Sequence, residues 1–126
     1  MQLIGCDLGG TNLRAGIVDL KTGQVKHLQS TPTLARQGHD AIMGRMGRLI
    51  EQVVAESGLS KKEIGCIGIG VPGVLDLDRG LTIFLPNLFG TWPEVPLRDT
   101  ISDFTGIPTA IINDVRAITY GEWCFG

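Results

Sequence analysis

The sequence predicts an α/β fold built on a mixed five-stranded sheet, three antiparallel strands followed by two parallel ones, with helices on both faces. Three observations carry this. Apolar runs at 3–8, 13–20 and 24–30 are separated only by short glycine-containing turns, so the strands they form are antiparallel neighbours. From 40 to 56 the apolar residues Ile42, Met43, Met46, Leu49, Ile50, Val53 and Val54 recur at the spacing of one helical face. The run at 64–71 is then almost continuously apolar, as a parallel strand buried on both faces must be.

The first strand ends at Asp7, and Gly9-Gly10 turns the chain into the second. Lys21-Thr22-Gly23 makes the next turn. Gly58 is placed to end the first helix, and Ser60 to Glu63 reads as a capping box over a single turn. After the strand at 64–71 comes a loop region from 72 to 93, in which 81–85 is apolar enough for a short strand. Pro96 opens a second helix with the face Leu97, Ile101 and Phe104, and Gly106 closes it. The run at 109–112 is the fifth strand, and a last helix begins at Asn113-Asp114. The strands after the first helix need crossover connections, which makes them parallel.

With 126 residues, 43% of them hydrophobic and 19% charged, the chain has the length and composition of one folded domain. Eleven basic and thirteen acidic residues leave a net charge of −2 without clusters, which argues against nucleic acid or an anionic membrane as partner. No apolar stretch has the length to span a bilayer. Cys6, Cys66 and Cys124 are far apart among apolar neighbours, so the reading is reduced, buried thiols in a cytoplasmic protein and no zinc site. Eighteen glycines, about twice the ordinary ~7%, sit beside apolar runs and suggest tight turns and close backbone approach to a ligand.

Three segments are candidates for chemistry. In Asp7-Leu8-Gly9-Gly10-Thr11-Asn12 the glycines let backbone N–H groups face an anion, and Thr11 and Asn12 add side-chain donors. Asp7 would repel a phosphate unless a cation such as magnesium lay between them; a plain hairpin turn is the competing reading. Asn113-Asp114 stands at the carboxyl end of a parallel strand, where open α/β sheets bind ligands. A carboxylate there can accept a hydroxyl proton, and equally Asn and Asp are ordinary helix N-caps. Gly70-Val71-Pro72-Gly73 and Pro86-Asn87-Leu88 expose backbone and one amide side chain, though loop punctuation accounts for them locally. His27 and His39 read as surface residues and Trp92 and Trp123 as packing, while Arg116 is either a surface cation or a phosphate neighbour.

Taken in order, these segments resemble the ROK family of bacterial sugar kinases and repressors. The string at 7–12 is similar to the first phosphate loop of actin-like sugar kinases and hexokinases. Val71-Pro72-Gly73, Pro86-Asn87-Leu88, Val95-Pro96-Leu97, Asn113-Asp114 and Gly121-Glu122 follow in the family's sequence. The resemblance implies a ribonuclease H-like, actin-like ATPase domain and phosphorylation of a hexose by ATP with Mg2+, as in glucokinase. It assigns Asp114 as general base, Asp7 (near the metal), Gly9, Gly10, Thr11 and Asn12 as phosphate and ATP ligands, and Gly73, Asn87, Asn113 and Asp114 as sugar contacts. Val115-Arg116 departs from the small or amide residues common after that Asn-Asp.

A complete member has a second lobe with another phosphate loop and the adenosine site, and it dimerises. Residues 1–126 are therefore read as the N-terminal lobe of a homodimeric two-lobed kinase, inactive in isolation. The alternative is a sugar-sensing, non-catalytic regulator of the same family. Only six residues precede Asp7, too few for the helix-turn-helix that such repressors carry there, which favours the kinase.

Overall fold

A computed structural model describes residues 2–113. Three strands open the chain: β1 (Gln2–Leu8), β2 (Asn12–Asp19) and β3 (Val25–Pro32). Helix α1 (His39–Ser57) follows, then β4 (Ile64–Gly70), β5 (Val74–Asp76), β6 (Leu81–Phe84), α2 (Leu97–Thr105) and β7 (Thr109–Ile112). The main sheet has the order β3-β2-β1-β4-β7. β1–β2 and β2–β3 are antiparallel, while β1–β4 and β4–β7 are parallel, as the sequence predicts.

β1 is the central strand, which is why Leu3, Ile4, Cys6 and Leu8 are all buried. Ile4, Cys6 and Leu8 join Ile67 and Ile69 of β4 and the predicted apolar stripe of α1 in one core. Each such fully buried aliphatic side chain stabilises the fold by about 1.5–3 kcal/mol relative to exposure. Leu3 and Val18, opposite one another across β1 and β2, are buried outside that core. A second burial surface thus exists on the other face.

α1 runs from Gly38, with Asp40 in its first turn, to a left-handed Gly58 with φ 74°. Ser60 and Glu63 form the predicted capping box over the 3-10 turn Lys61–Glu63. α2 also ends on a left-handed glycine, Gly106, but Pro96 is its N-cap and not its first residue. Leu97 and Ile101 are buried as expected; Thr105 takes the third buried position, and Phe104 lies half-exposed across α1 with its ring on Gly47.

The two described helices therefore share a face. Helices on both faces then rest on the third predicted helix, from Asp114, which lies outside the described residues. The apolar run at 81–85, expected as a short strand, is β6, and it pairs in a small antiparallel hairpin with β5, which the sequence left within the loop. His27 is exposed as predicted. It also has φ 57° and occupies an irregularity in the β2–β3 pairing. Cys6 is a free, fully buried thiol, whereas Cys66 is only partly buried and is not free, contrary to expectation.

Candidate active site

The parallel strands β1, β4 and β7 end side by side. Asp7 pairs with Gly70, Gly70 with Ile112, and the Val71 amide donates to the Ile112 carbonyl at 2.7 Å. The register therefore brings three predicted segments to one sheet edge: Asp7 with its loop, the turn Val71-Pro72-Gly73, and Asn113. This is the edge at which open α/β sheets take ligands. Asn113 is exposed there; Asp114, the predicted base, lies outside the described residues.

Asp7 is half-buried, and burial pushes its carboxyl above the usual carboxylate range; Arg14, directly opposite on β2, partly offsets this. Beside it, Cys6 is driven up to about 12, first by burial and second by the Asp7 charge, so it stays a protonated thiol. A half-desolvated carboxylate at the mouth of a glycine turn fits Mg2+, which is commonly held by one or two carboxylates together with substrate phosphates.

The turn from β1 to β2 is closed by the Gly9 amide donating to the Asn12 carbonyl at 3.1 Å. No described residue accepts a hydrogen bond from the amides of Gly10 or Thr11, and both residues are exposed. A Cβ added at Gly9 would stand 2.6 Å from the Asn12 carbonyl oxygen. One at Gly10 would stand 3.0 Å from the Asn87 carbonyl oxygen and 3.7 Å from the Asn87 Cβ. Close approach therefore requires the glycine at position 9 and leaves little room for a side chain at position 10, where the Asn87 backbone lies against the phosphate-loop candidate.

Gly73 has φ 149°, and a Cβ there would collide with the Phe84 carbonyl oxygen. It lets the chain leaving β4 pack flat on the β6 exit that leads to Asn87. The Asn87 side chain is exposed and hydrogen-bonds no described residue. Trp92 is fully buried, consistent with packing; its carbonyl accepts from Thr82 Oγ1 at 2.6 Å, and its Nε1 has no acceptor among the described residues. Its ring meets that of His39 edge-on, with centroids 6.0 Å apart.

Sequence reading missed Thr33. This fully buried hydroxyl donates to the Gly9 carbonyl at 2.7 Å, and the Thr33 amide donates to the Thr11 carbonyl at 2.8 Å. Its own carbonyl accepts from Arg45 of α1 at 2.6 Å. A threonine just past the end of a strand carries no local signal of such a role. Two cavities lined by described residues lie elsewhere, one at the opposite end of the sheet by Gln2, Asp19 and Lys26, another between β3 and α1.

The sequence pattern of the ROK family matches residues 3–126. The chain belongs to the ROK family. A glucokinase of Thermotoga maritima is 34% identical over 126 residues, covering all of this chain and 38% of that protein. A xylose repressor of Caldicellulosiruptor bescii is 31% identical over 125 residues, covering 99% of this chain and 31% of the repressor. Among solved structures, a ROK family glucokinase from Streptomyces griseus in complex with glucose and AMPPNP superposes with a TM-score of 0.75 at 30% identity. That match covers 100% of this chain and 37% of the glucokinase. The fold is accordingly that of the actin-like ROK sugar kinases, and this ROK chain spans a little over a third of the length of the glucokinases it matches.

Proposed function

We propose that this ROK chain is the N-terminal lobe of a kinase that transfers a phosphoryl group from ATP to a hexose hydroxyl. The observation that carries the reading is the seating of Asn87 on Gly10. The backbone contact places a residue with a free polyol-binding amide beside an anion-binding loop, as transfer between a sugar and a nucleotide requires, because phosphoryl transfer depends on positioning and charge neutralisation. The likeness to a glucokinase holding glucose and AMPPNP supports the same reading.

Asn87 and Asn113 hydrogen-bond the ring hydroxyls, and the backbone at Gly73 lines the same pocket. Gly9, Gly10, Thr11 and Asn12 hold the transferred phosphate, and Asp7 helps hold Mg2+, which supplies charge neutralisation on the phosphates when bound. Asp114, the residue after Asn113, accepts the proton of the attacking sugar hydroxyl. The new O–P bond forms as the bond from the γ-phosphorus to the bridging oxygen breaks, and ADP leaves.

The test is ADP release across a panel of hexoses, using the complete protein that carries this chain, the 126-residue chain alone, and Asp114→Asn in the complete protein. Turnover on a hexose is expected only from the unmodified complete protein. Asp114→Asn should lose several orders of magnitude in kcat while still binding sugar, more than the ~10²–10⁴-fold of proton transfer alone if orientation is lost too. Near-unchanged turnover by that variant refutes the base. Saturable sugar binding without turnover in the complete protein would instead make it a sensor, the reading its likeness to a xylose repressor supports.

A further inference from the structure

We propose that Thr33 is a positioning residue for the anion-holding loop, an inference that deepens the kinase reading and rests on it. The reason lies in peptide planarity. The Gly9 carbonyl and the Gly10 N–H belong to one trans peptide unit and point in opposite directions, as do the Thr11 carbonyl and the Asn12 N–H. Thr33 grips both carbonyls, Gly9 through its hydroxyl at 2.7 Å and Thr11 through its amide at 2.8 Å. By holding the carbonyls on its own side, it aims the Gly10 and Asn12 N–H groups away from itself.

Thr33 is itself held. It is fully buried, and its carbonyl accepts from Arg45 Nη1 at 2.6 Å. The other terminal nitrogen of Arg45 hydrogen-bonds the Gln37 side chain in the 3-10 turn Ala35–Gln37. A two-glycine turn has many backbone conformations open to it, and this chain of bonds from α1 selects one of them before any ligand arrives. Among the described residues the Thr33 hydroxyl bonds the loop carbonyl and nothing else.

The experiment compares Thr33→Val, Thr33→Ser and unmodified protein, all as the complete protein carrying this chain. Val keeps the shape and the amide but deletes the hydroxyl donor; Ser keeps the donor. Thr33→Val is expected to lower kcat/KM for ATP about 10- to 100-fold, with the hexose KM unchanged, and Thr33→Ser to recover most of it. Hydrogen exchange without nucleotide should quicken at residues 9–12 in the Val variant and not in the Ser variant. If Val does not fold, Arg45→Met is expected to give the same selective loss, smaller in size. Unchanged ATP kinetics and exchange in Val, or an equal loss in Ser and Val, overturns the proposal. Exchange that quickens only in Val, in a protein that phosphorylates no sugar, upholds the clamp and counts against the kinase reading alone.

Discussion

Asp7 carries a charge whose burial works against stability. Its carboxyl is half-buried and held above its ordinary range by desolvation, with Arg14 compensating only in part. Between the unfolded and the raised native values, the native state therefore keeps a proton that the unfolded chain has already released. The stability this contributes is present below the unfolded carboxylate range near ~4 and is lost as pH rises through the raised native value. Asp7→Asn, of the same shape and without charge, should accordingly melt at a higher temperature than the unmodified protein at pH 7. The difference should narrow as the pH falls toward 4. Thermal unfolding followed by circular dichroism between those pH values checks this; a difference independent of pH would refute it. The same variant should lose phosphoryl transfer, as expected where function opposes stability.

At the scale of elements, the two helices meet where Gly47 lies under the ring of Phe104. An added Cβ would meet the ring at 2.5, 2.6 and 2.8 Å, so the glycine is a packing requirement and not a flexible joint. Two effects oppose each other in Gly47→Ala. Helix propensity favours alanine by about 1 kcal/mol, while overpacking costs about 1–3 kcal/mol. Overpacking wins as long as the ring stays, for a net loss of about 1 kcal/mol in urea unfolding. In a Phe104→Ala background the clash is gone and Gly47→Ala should stabilise. That reversal of sign, read from a double-mutant cycle, separates packing from propensity; additive effects would show that the ring does not pack there in solution.

At the scale of the whole molecule, the β5–β6 hairpin is joined to the main sheet at Gly73 and fastened by Arg98. The Arg98 guanidinium donates to the carbonyls of Leu77, Asp78 and Arg79 at 3.3–3.4 Å, and the Arg98 amide donates to the Gly80 carbonyl. Leu85, Leu88, Trp92 and Val95 then anchor the segment that presents Asn87 in the common core. Gly73→Ala drives a Cβ into the Phe84 carbonyl and Leu85, neither of which can move without lifting the hairpin. Hydrogen exchange should quicken at residues 74–88, while α1 and β1 keep their protection. Global unfolding of the variant, or unchanged exchange in that segment, would contradict this division of the molecule.

Residue pattern alone determined the main sheet, α1, α2 and their glycine ends. The signals for these are local, because apolar spacing of two or 3.6 and a glycine at a turn express themselves within a few residues of chain. The loop at 9–12, Asn87 and Asn113 were marked as candidates in the sequence, the first by its glycines and acid, Asn113 by its place at a strand end, and Asn87 by its amide and the order of motifs. Tertiary structure decided what depends on contacts between distant segments. It set the register that brings Asp7, Val71 and Asn113 to one edge, and it paired β5 with β6 in a hairpin. It also replaced Phe104 by Thr105 in the core, since what a helical residue buries depends on the neighbour it meets. Thr33 was invisible for the same reason: a hydroxyl means nothing until the fold, across 24 residues of sequence, delivers a carbonyl to it.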